Sequence, residues 1–130
     1  MENKVDTYGI ENVNFSLIER DDDRWELFKQ QRLERGFDDS ELWNLNDSIA
    51  RFIYPRLKAF SEDTISYPIG LTPKKWERIL NDMVLAFKLI IEDDEDENGN
   101  LLPKEVIDEN LKKIKKGLNY FAKYFLSLWD

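Results

Sequence analysis

The chain contains neither cysteine nor histidine among its 130 residues. Without cysteine it can form no disulfide bond and no thiolate zinc site. Without histidine it lacks the commonest general base, the usual partner of a nucleophilic serine, and the nitrogen ligands of zinc and iron sites. Carboxylates and lysines remain, but the sequence has no glycine-rich phosphate loop. We therefore expect a protein that is not an enzyme.

Long hydrophobic runs are also missing. The longest apolar-rich stretch, residues 83–91, is interrupted by Lys88 and is far shorter than the roughly 20 residues that a membrane-spanning helix needs. A signal peptide begins with a basic and then an apolar run, whereas here Glu2 and Asn3 follow Met1. We therefore expect no membrane association and an intracellular location.

Basic residues are outnumbered by acidic ones, 19 to 27, which gives a formal net charge of −8. Because duplex affinity depends largely on neutralising phosphates with Lys and Arg, we expect no direct nucleic-acid binding. The opposite strategy is an alternative, in which acidic residues imitate phosphates and occupy a nucleic-acid site on another protein. The candidates for such a mimic are Glu19, Asp21, Asp22, Asp23, Asp38, Asp39, Glu41 and the acidic run at 92–97.

The hydrophobic fraction of 42%, with 13% aromatic residues, is sufficient for a buried core in one domain of this length. In the first twenty residues apolar and polar side chains alternate loosely, which predicts an extended arm or one short strand. We therefore divide the chain into an N-terminal arm, residues 1–20, and a single helical domain, residues 21–130.

Apolar residues at spacings of three and four predict helices in the rest of the chain. The first helix covers about residues 23–35, with Gly36 as its terminator. The second begins near Ser40 or Asn46 and contains Pro55. A proline inside a helix removes one backbone hydrogen bond, so we expect a kink there or a division into two shorter helices.

Two further helices follow, each opened by a proline. Thr72 and Pro73 start the third, because the hydroxyl can cap a free amide and proline tolerates the first helical position. The fourth is expected to run from Pro103 almost to Asp130 and to lie antiparallel to the third. The predicted fold is therefore all-α: a compact bundle of four to five helices with a flexible or extended N-terminal arm.

The loop before the fourth helix has a chemical pattern. Residues 94–105 match the calcium-loop sequence D-x-[DN]-x-[DN]-G-x5-E at every specified position, and the stretch resembles an EF-hand. Gly99 would permit the sharp turn around the ion. The predicted oxygen ligands are Asp94, Asp96, Asn98, the backbone carbonyl of Asn100, and Glu105.

An alternative interpretation of this loop is structural. An acidic run followed by Asn-Gly-Asn is also typical of a solvated connector between two helices. EF-hands normally occur in pairs, and the chain has no second loop of this kind. Calcium is thus the single candidate cofactor, and the prediction is that none is needed.

Trp43 is the candidate partner-binding residue. It lies one position off the apolar stripe of Leu42, Leu45 and Ile49, which predicts an exposed ring at a surface where another protein binds. The alternative for any of the four tryptophans is a place in the core or between helices.

A lysine cluster in the last helix has two interpretations. It could bind phosphate or an acidic partner, or it could be the solvated flank of the Leu111, Ile114 and Leu118 stripe. We favour the exposed, solvated face. The lysines concerned are Lys112, Lys113, Lys115, Lys116 and Lys123.

Several short motifs together carry a family resemblance. They are Arg35-Gly36-Phe37, Leu42-Trp43-Asn44-Leu45, Ile53-Tyr54-Pro55-Arg56-Leu57, Leu71-Thr72-Pro73 with Trp76, Gly117-Leu118, Phe121-Ala122-Lys123-Tyr124-Phe125, and Leu128-Trp129-Asp130. The pattern, over about residues 35–130, resembles a group of small, functionally uncharacterised bacteriophage and prophage proteins. The resemblance implies a phage context and the cytoplasm of a bacterial host.

The leading hypothesis is therefore a non-enzymatic, phage-type accessory protein that acts by protein–protein interaction. Its partner would be a bacterial host protein or a phage protein, and the chain could be a host- or defence-directed inhibitor. The alternative is a calcium-binding protein with a single EF-hand-like loop. The two differ in whether removal of calcium changes stability or binding.

Overall fold

A computed structural model describes residues 15–92 and 94–130. These residues form four α-helices and two 3-10 turns, with no strand among them, so the all-α prediction is confirmed. The helices are α1 (Trp25–Arg35), α2 (Leu45–Asp63), α3 (Pro73–Ile91) and α4 (Lys104–Tyr124), and the 3-10 turns are Asp39–Leu42 and Phe125–Ser127.

The chain divides into two compact units, Met1–Ile49 and Ala50–Asp130. The first unit carries 13 acidic and six basic residues, a net charge of −7, whereas the second carries 14 and 13, a net charge of −1. The negative charge of the protein is thus concentrated in the first unit. The predicted boundary between an arm and a single helical domain stays a prediction, and residues 1–14 of that arm lie outside the described residues.

The first unit has a small apolar core. Trp25 and Phe28 stand three residues apart on α1 and so share one face, and Ile18 from the segment before the helix packs with them. Arg32, a further turn along, is also buried, so the buried stripe of α1 ends in a charged residue. The helix ends at Gly36 as predicted, because Gly36 takes a φ of 86° there and donates its N–H to the Arg32 carbonyl.

Pro55 does not divide the second helix. The structure is helical throughout α2, so the prediction of two shorter helices joined near Pro55 was wrong. The proline side chain is exposed and displaces no core side chain, while Ala50 and Leu57 on another side of α2 are buried. Their burial favours the continuous helix over the loss of one backbone hydrogen bond. The alternative start at Ser40 corresponds to the separate 3-10 turn.

The second unit is organised around α3. Thr72 caps this helix by accepting a hydrogen bond from the backbone N–H of Lys75 at 3.2 Å, and Pro73 occupies its first position, as predicted. Its wide apolar face supplies most of the buried core. The six core residues are Ala50, Leu57, Trp76, Leu80, Met83 and Phe87.

Helices α3 and α4 pack against each other at very short range. A Cβ on Gly117 would stand 2.4 Å from both the Ala86 Cβ and the backbone oxygen of Asp82, so only glycine fits at this crossing. The ring of Trp76, near the start of α3, meets that of Tyr124, at the end of α4, with centroids 5.5 Å apart. These pairings make the two helices antiparallel, as predicted.

The last helix is shorter than expected. It begins at Lys104, with Pro103 as the residue before its first turn, and it ends at Tyr124 instead of near Asp130. The chain then continues as a 3-10 turn, and the Asp130 carboxylate accepts hydrogen bonds from the Thr64 and Ser66 hydroxyls. Among residues 15–92 and 94–130, none of the helices combines the length and the hydrophobicity that crossing a bilayer requires.

Candidate functional site

The acidic connector between α3 and α4 folds as a small hairpin. Glu95 and Leu101 form an isolated antiparallel bridge, and the Asp96 N–H donates to the Asn100 carbonyl at 2.7 Å. The turn closes when the Gly99 N–H donates to the Asp96 carbonyl at 3.0 Å, with Gly99 at a φ of 80°. This is the arrangement of a three-residue hairpin loop with glycine in the left-handed position.

The hairpin uses two of the oxygens that the EF-hand prediction assigned to calcium. Asp96 Oδ1 accepts hydrogen bonds from the backbone N–H groups of Asn98 and Asn100, at 2.9 and 3.0 Å, and the Asn100 carbonyl is bonded to Asp96. In the part of the chain that the structure describes, no three acidic side chains come together as a metal-binding group. Calcium binding by Asp94, Asp96, Asn98, Asn100 and Glu105 stays a prediction, in which Asp96 Oδ1 and the Asn100 carbonyl would have to share or release these hydrogen bonds.

We expect calcium to leave the stability of the protein unchanged, because Asp96 Oδ1 and the Asn100 carbonyl already accept hydrogen bonds from the hairpin backbone. The measurement is thermal unfolding with about 1 mM calcium and with chelator, since a micromolar site would add roughly 4 kcal/mol at this thousandfold excess. A calcium-dependent rise in the melting temperature that disappears in Glu105→Gln would establish the EF-hand interpretation instead.

Trp43 lies where the 3-10 turn Asp39–Leu42 ends, and its side chain is 54% exposed. One side of the ring is supported: its centroid is 6.1 Å from that of Phe28 in an edge-on contact. The Arg24 guanidinium stands 5.1 Å from the Trp43 ring and 5.4 Å from the Phe28 ring. The indole is therefore held by an aromatic and a cationic neighbour while about half of the residue stays accessible.

The residues around Trp43 in the sequence are also apolar and accessible. Leu42, Leu45 and Ile49 are each 47% to 49% exposed, and Leu45 and Ile49 are i,i+4 neighbours on the first turns of α2. Single exposed apolar residues are ordinary, whereas four within eight positions make this segment a candidate binding surface. We call Leu42, Trp43, Leu45 and Ile49 the Trp43 surface.

A buried polar network supports the turn that carries this surface. Arg32 and Asp38 form an ion pair between Arg32 Nη1 and Asp38 Oδ2, and both side chains are almost completely buried. Asp38 Oδ1 accepts a hydrogen bond from the Ser40 N–H at 2.8 Å and a second from the Ser40 hydroxyl. Glu41 completes a capping box, because its Oε2 accepts from the Asp38 N–H at 2.7 Å.

The same network holds the segment that precedes α1. The Phe15 N–H donates to Glu41 Oε1 at 3.2 Å, and the Leu17 N–H donates to the Ser40 hydroxyl at 2.8 Å. Sequence reasoning missed this network, although the Asp38-x-x-Glu41 spacing is the signature of a capping box. The consequence is a rigid support, because the 3-10 turn is bonded from both sides before the chain reaches Trp43.

The carboxylate at the centre of the network is ionised. Burial by itself would raise the pKa of Asp38, but hydrogen bonds from Ser16, Ser40 and Arg32 outweigh burial and lower the pKa. Arg32 makes fewer bonds, since its buried Nε and Nη2 atoms have no hydrogen-bond partner among residues 15–92 and 94–130. Its guanidinium stands 5.2 Å from the Trp25 ring, which offsets part of that cost.

The network and its surroundings also occupy several residues of the predicted acidic mimic. Asp38 and Glu41 are buried, and Asp39 Oδ1 pairs with Arg35 at 2.6 Å. Asp22 pairs with Arg24 at 2.9 Å, and hydrogen bonds from the Arg24 side chain and N–H lower its pKa to about 2. Four of the seven acidic residues proposed between positions 19 and 41 are therefore bonded within the first unit.

We expect stability to fall in acid. The pKa of each of Asp22, Asp38, Asp39 and Asp130 is lower in the folded protein than its ordinary value, so the unfolded chain binds their protons more readily. The stabilisation is complete above about pH 4 and is lost as the pH falls through the lowered values. The urea midpoint should thus be lower at about pH 3 than at neutrality. An equal or higher midpoint in acid would contradict the ion-pair assignments.

Comparison with known proteins adds no relative: no family model matches the chain, and neither curated proteins nor solved structures give a significant match. The resemblance to small bacteriophage proteins therefore stays a prediction. Function has to be inferred from the chain's own residues, above all from the Trp43 surface and the network beneath it.

Proposed function

We propose that the chain is a non-enzymatic, phage-type accessory protein that acts by protein–protein contact through the Trp43 surface. Its partner would be a host or phage protein in the bacterial cytoplasm, with inhibition of host or defence machinery as the consequence. The observation that carries the proposal is the half-exposed indole of Trp43, held against Phe28 and Arg24 at the end of a rigid turn.

The rigid support is what makes an exposed tryptophan useful for binding. Tryptophan is over-represented among the few residues that dominate interface energies, and a side chain that is already immobilised loses little entropy when a partner covers it. The buried bonds of Asp38, Ser40 and Glu41 provide that immobilisation in the free protein. Together with the three aliphatic neighbours of Trp43, they support a preformed binding surface.

The charge of the first unit indicates the kind of partner. With a net charge of −7 on residues 1–49, the unit would attract a protein whose apolar pocket is rimmed by basic residues. Imitation of a phosphate backbone receives less support, because four of the seven candidate carboxylates are bonded internally. We therefore place the binding energy in the apolar contact and assign the charge to steering of the encounter.

The carboxylates also support a function without turnover. A carboxylic acid that protonates a substrate near neutral pH needs a raised pKa. The pKa values of Asp22, Asp38, Asp39 and Asp130 are lowered instead. These side chains are arranged as ion-pair and hydrogen-bond partners.

We expect Trp43→Ala to abolish partner binding while Trp129→Ala preserves it. The two residues are a matched pair, because Trp129 is 70% exposed and belongs to the second unit. Truncation of a binding hot spot costs about 2–4 kcal/mol, which is roughly a 30- to 1,000-fold loss of affinity. The measurement is an affinity pull-down of the tagged variants from bacterial lysate with mass-spectrometric readout, followed by titration of the purified partner.

Circular dichroism should first show that both variants are folded. A protein retained by the wild type and Trp129→Ala but lost from Trp43→Ala supports the proposal. If Trp129→Ala alone loses the protein, the binding surface lies in the second unit and the Trp43 assignment is wrong. The pull-down is run in parallel with calcium and with chelator. A partner that appears only with calcium would support the calcium-binding alternative instead of the Trp43 proposal.

A further inference from the structure

The second unit contains a groove between α3 and α4 that carries positive charge. Its volume is about 330 Å³, which lies at the lower end of the range for small-molecule sites. The groove lies beside the close crossing at Gly117, so the two helices that form its walls are fixed relative to each other. It is lined by Lys75, Arg78, Ile79 and Asp82 of α3 and by Lys116 and Tyr120 of α4.

The charges in the groove do not cancel. Lys116 Nζ is 3.4 Å from Asp82 Oδ2, so this pair is neutral as a unit. Over the described part of the chain, neither Lys75 nor Arg78 has a carboxylate within ion-pair distance. The groove therefore presents two uncompensated positive charges in a protein whose overall charge is −8.

Helix stability does not explain these two cations. Lys75 lies in the first turn of α3, which contains no acidic residue, and positive charge near a helix N-terminus is electrostatically unfavourable. Arg78 follows one turn later and faces the same groove. An anion placed between them would be attracted both by their side chains and by the helix dipole.

The rest of the lining is apolar. Ile79 and the ring of Tyr120 are half-buried, and the Tyr120 ring is braced by Tyr124 with centroids 6.4 Å apart. An inorganic anion would leave this wall uncovered, whereas a ligand with an organic part would bury it. The two cations and the apolar wall together fit a ligand that has an anionic group at one end and an organic group at the other.

We infer that the groove binds a small phosphate monoester. The phosphate, which carries about −1.5 to −2 charges at neutral pH, would lie between Lys75 and Arg78, whose two uncompensated charges match it. The organic part would lie against Ile79 and Tyr120. This site is in the second unit and uses no residue of the Trp43 surface, so the inference does not depend on the proposed function.

Adenosine monophosphate is a suitable probe, because it has a dianionic phosphate and a planar organic group. In calorimetric titrations of the full chain we expect saturable binding at least about tenfold tighter than that of inorganic phosphate or of adenosine, which each lack one end. Arg78→Ala should weaken binding by about tenfold or more, since it removes a charge-assisted hydrogen bond. Lys113→Ala is the matched control, an exposed cation on α4 outside the groove.

Several results would overturn the assignment. They are an absence of saturable heat up to about 10 mM nucleotide, equal affinity for inorganic phosphate, or an equal loss in Lys113→Ala and Arg78→Ala. A phosphoserine peptide that binds more tightly than the nucleotide would also overturn it in favour of a protein ligand. Because Arg78 is exposed, Arg78→Ala should fold normally, which circular dichroism can verify.

Discussion

Replacing Asp38 with alanine should destabilise the first unit by about 3–5 kcal/mol, the usual cost of leaving a buried charge without its partner. Asp38 is fully buried, and its carboxylate is the acceptor for Arg32 and for the Ser40 N–H and hydroxyl. Arg32 already has two buried nitrogens that make no hydrogen bond to the described residues, so losing its ion pair would leave the guanidinium with only the Ser16 hydroxyl, at 3.2 Å, and the Trp25 ring as described partners.

Urea unfolding followed by tryptophan fluorescence measures this loss, and Asp39→Ala is the matched control. Asp39 is the next residue and pairs with Arg35, but that pair is exposed, so its removal should cost about 1 kcal/mol or less. The double variant Arg32→Met with Asp38→Ala should recover much of the stability, because it removes both buried charges. Equal effects of the two alanine variants would mean that the buried ion pair contributes no more than the exposed one.

Gly117→Ala should also be strongly destabilising, although glycine to alanine inside a helix normally stabilises by about 0.5–1 kcal/mol. The added methyl group would stand 2.4 Å from the Asp82 backbone oxygen, and a backbone atom of another helix cannot move aside alone. We expect the second unit to lose about 3 kcal/mol, the upper end of the cost of overpacking, as α3 and α4 separate.

Thermal unfolding by circular dichroism is the measurement for Gly117→Ala. Asn119→Ala is a suitable control, because this exposed position on α4 should accept alanine without loss. Gly117→Ala should also weaken nucleotide binding in the groove, because the groove lies between the same two helices. A stabilised Gly117→Ala protein would show that the helices cross at a greater distance.

The elements that could be predicted from sequence are those decided by short-range chemistry. Thr72 and Pro73 open α3 because a hydroxyl and an imide ring act on amides within the same turn. Gly36 ends α1 because only glycine enters the left-handed conformation at little cost. Helical periodicity then indicated an all-α protein, since apolar residues three and four positions apart lie on one face of a helix.

Predictions that depended on distant neighbours were less successful. Pro55 was expected to kink α2 or to divide it into two helices. The division is absent, and the burial of Ala50 and Leu57 favours a continuous helix. The apolar stripe of Leu42, Leu45 and Ile49 was read as helical periodicity, yet these residues are half exposed, because Ala50 and Leu57 provide the buried contacts of α2. Periodicity locates a face, but only packing decides which face is covered.

In the candidate sites, too, local features could be predicted from the sequence, whereas contacts between separate segments could not. The EF-hand pattern at residues 94–105 is a local feature, and the hairpin that forms there follows from Asn98-Gly99, an equally local turn signal. The exposure of Trp43 was foreseen from its offset against the stripe, whereas its contact with Phe28 was not.

The sequence by itself determined the helical fold class, the caps at Gly36 and Thr72, and which chemistries are unavailable without cysteine and histidine. The tertiary structure alone decided the buried network of Arg32 and Asp38 and the groove that joins Lys75 to Lys116. The physical reason is that capping and turn energies act over a few residues. Burial and the convergence of charges depend instead on how separate elements pack: α1 with the 3-10 turn around Arg32 and Asp38, and α3 with α4 around the groove.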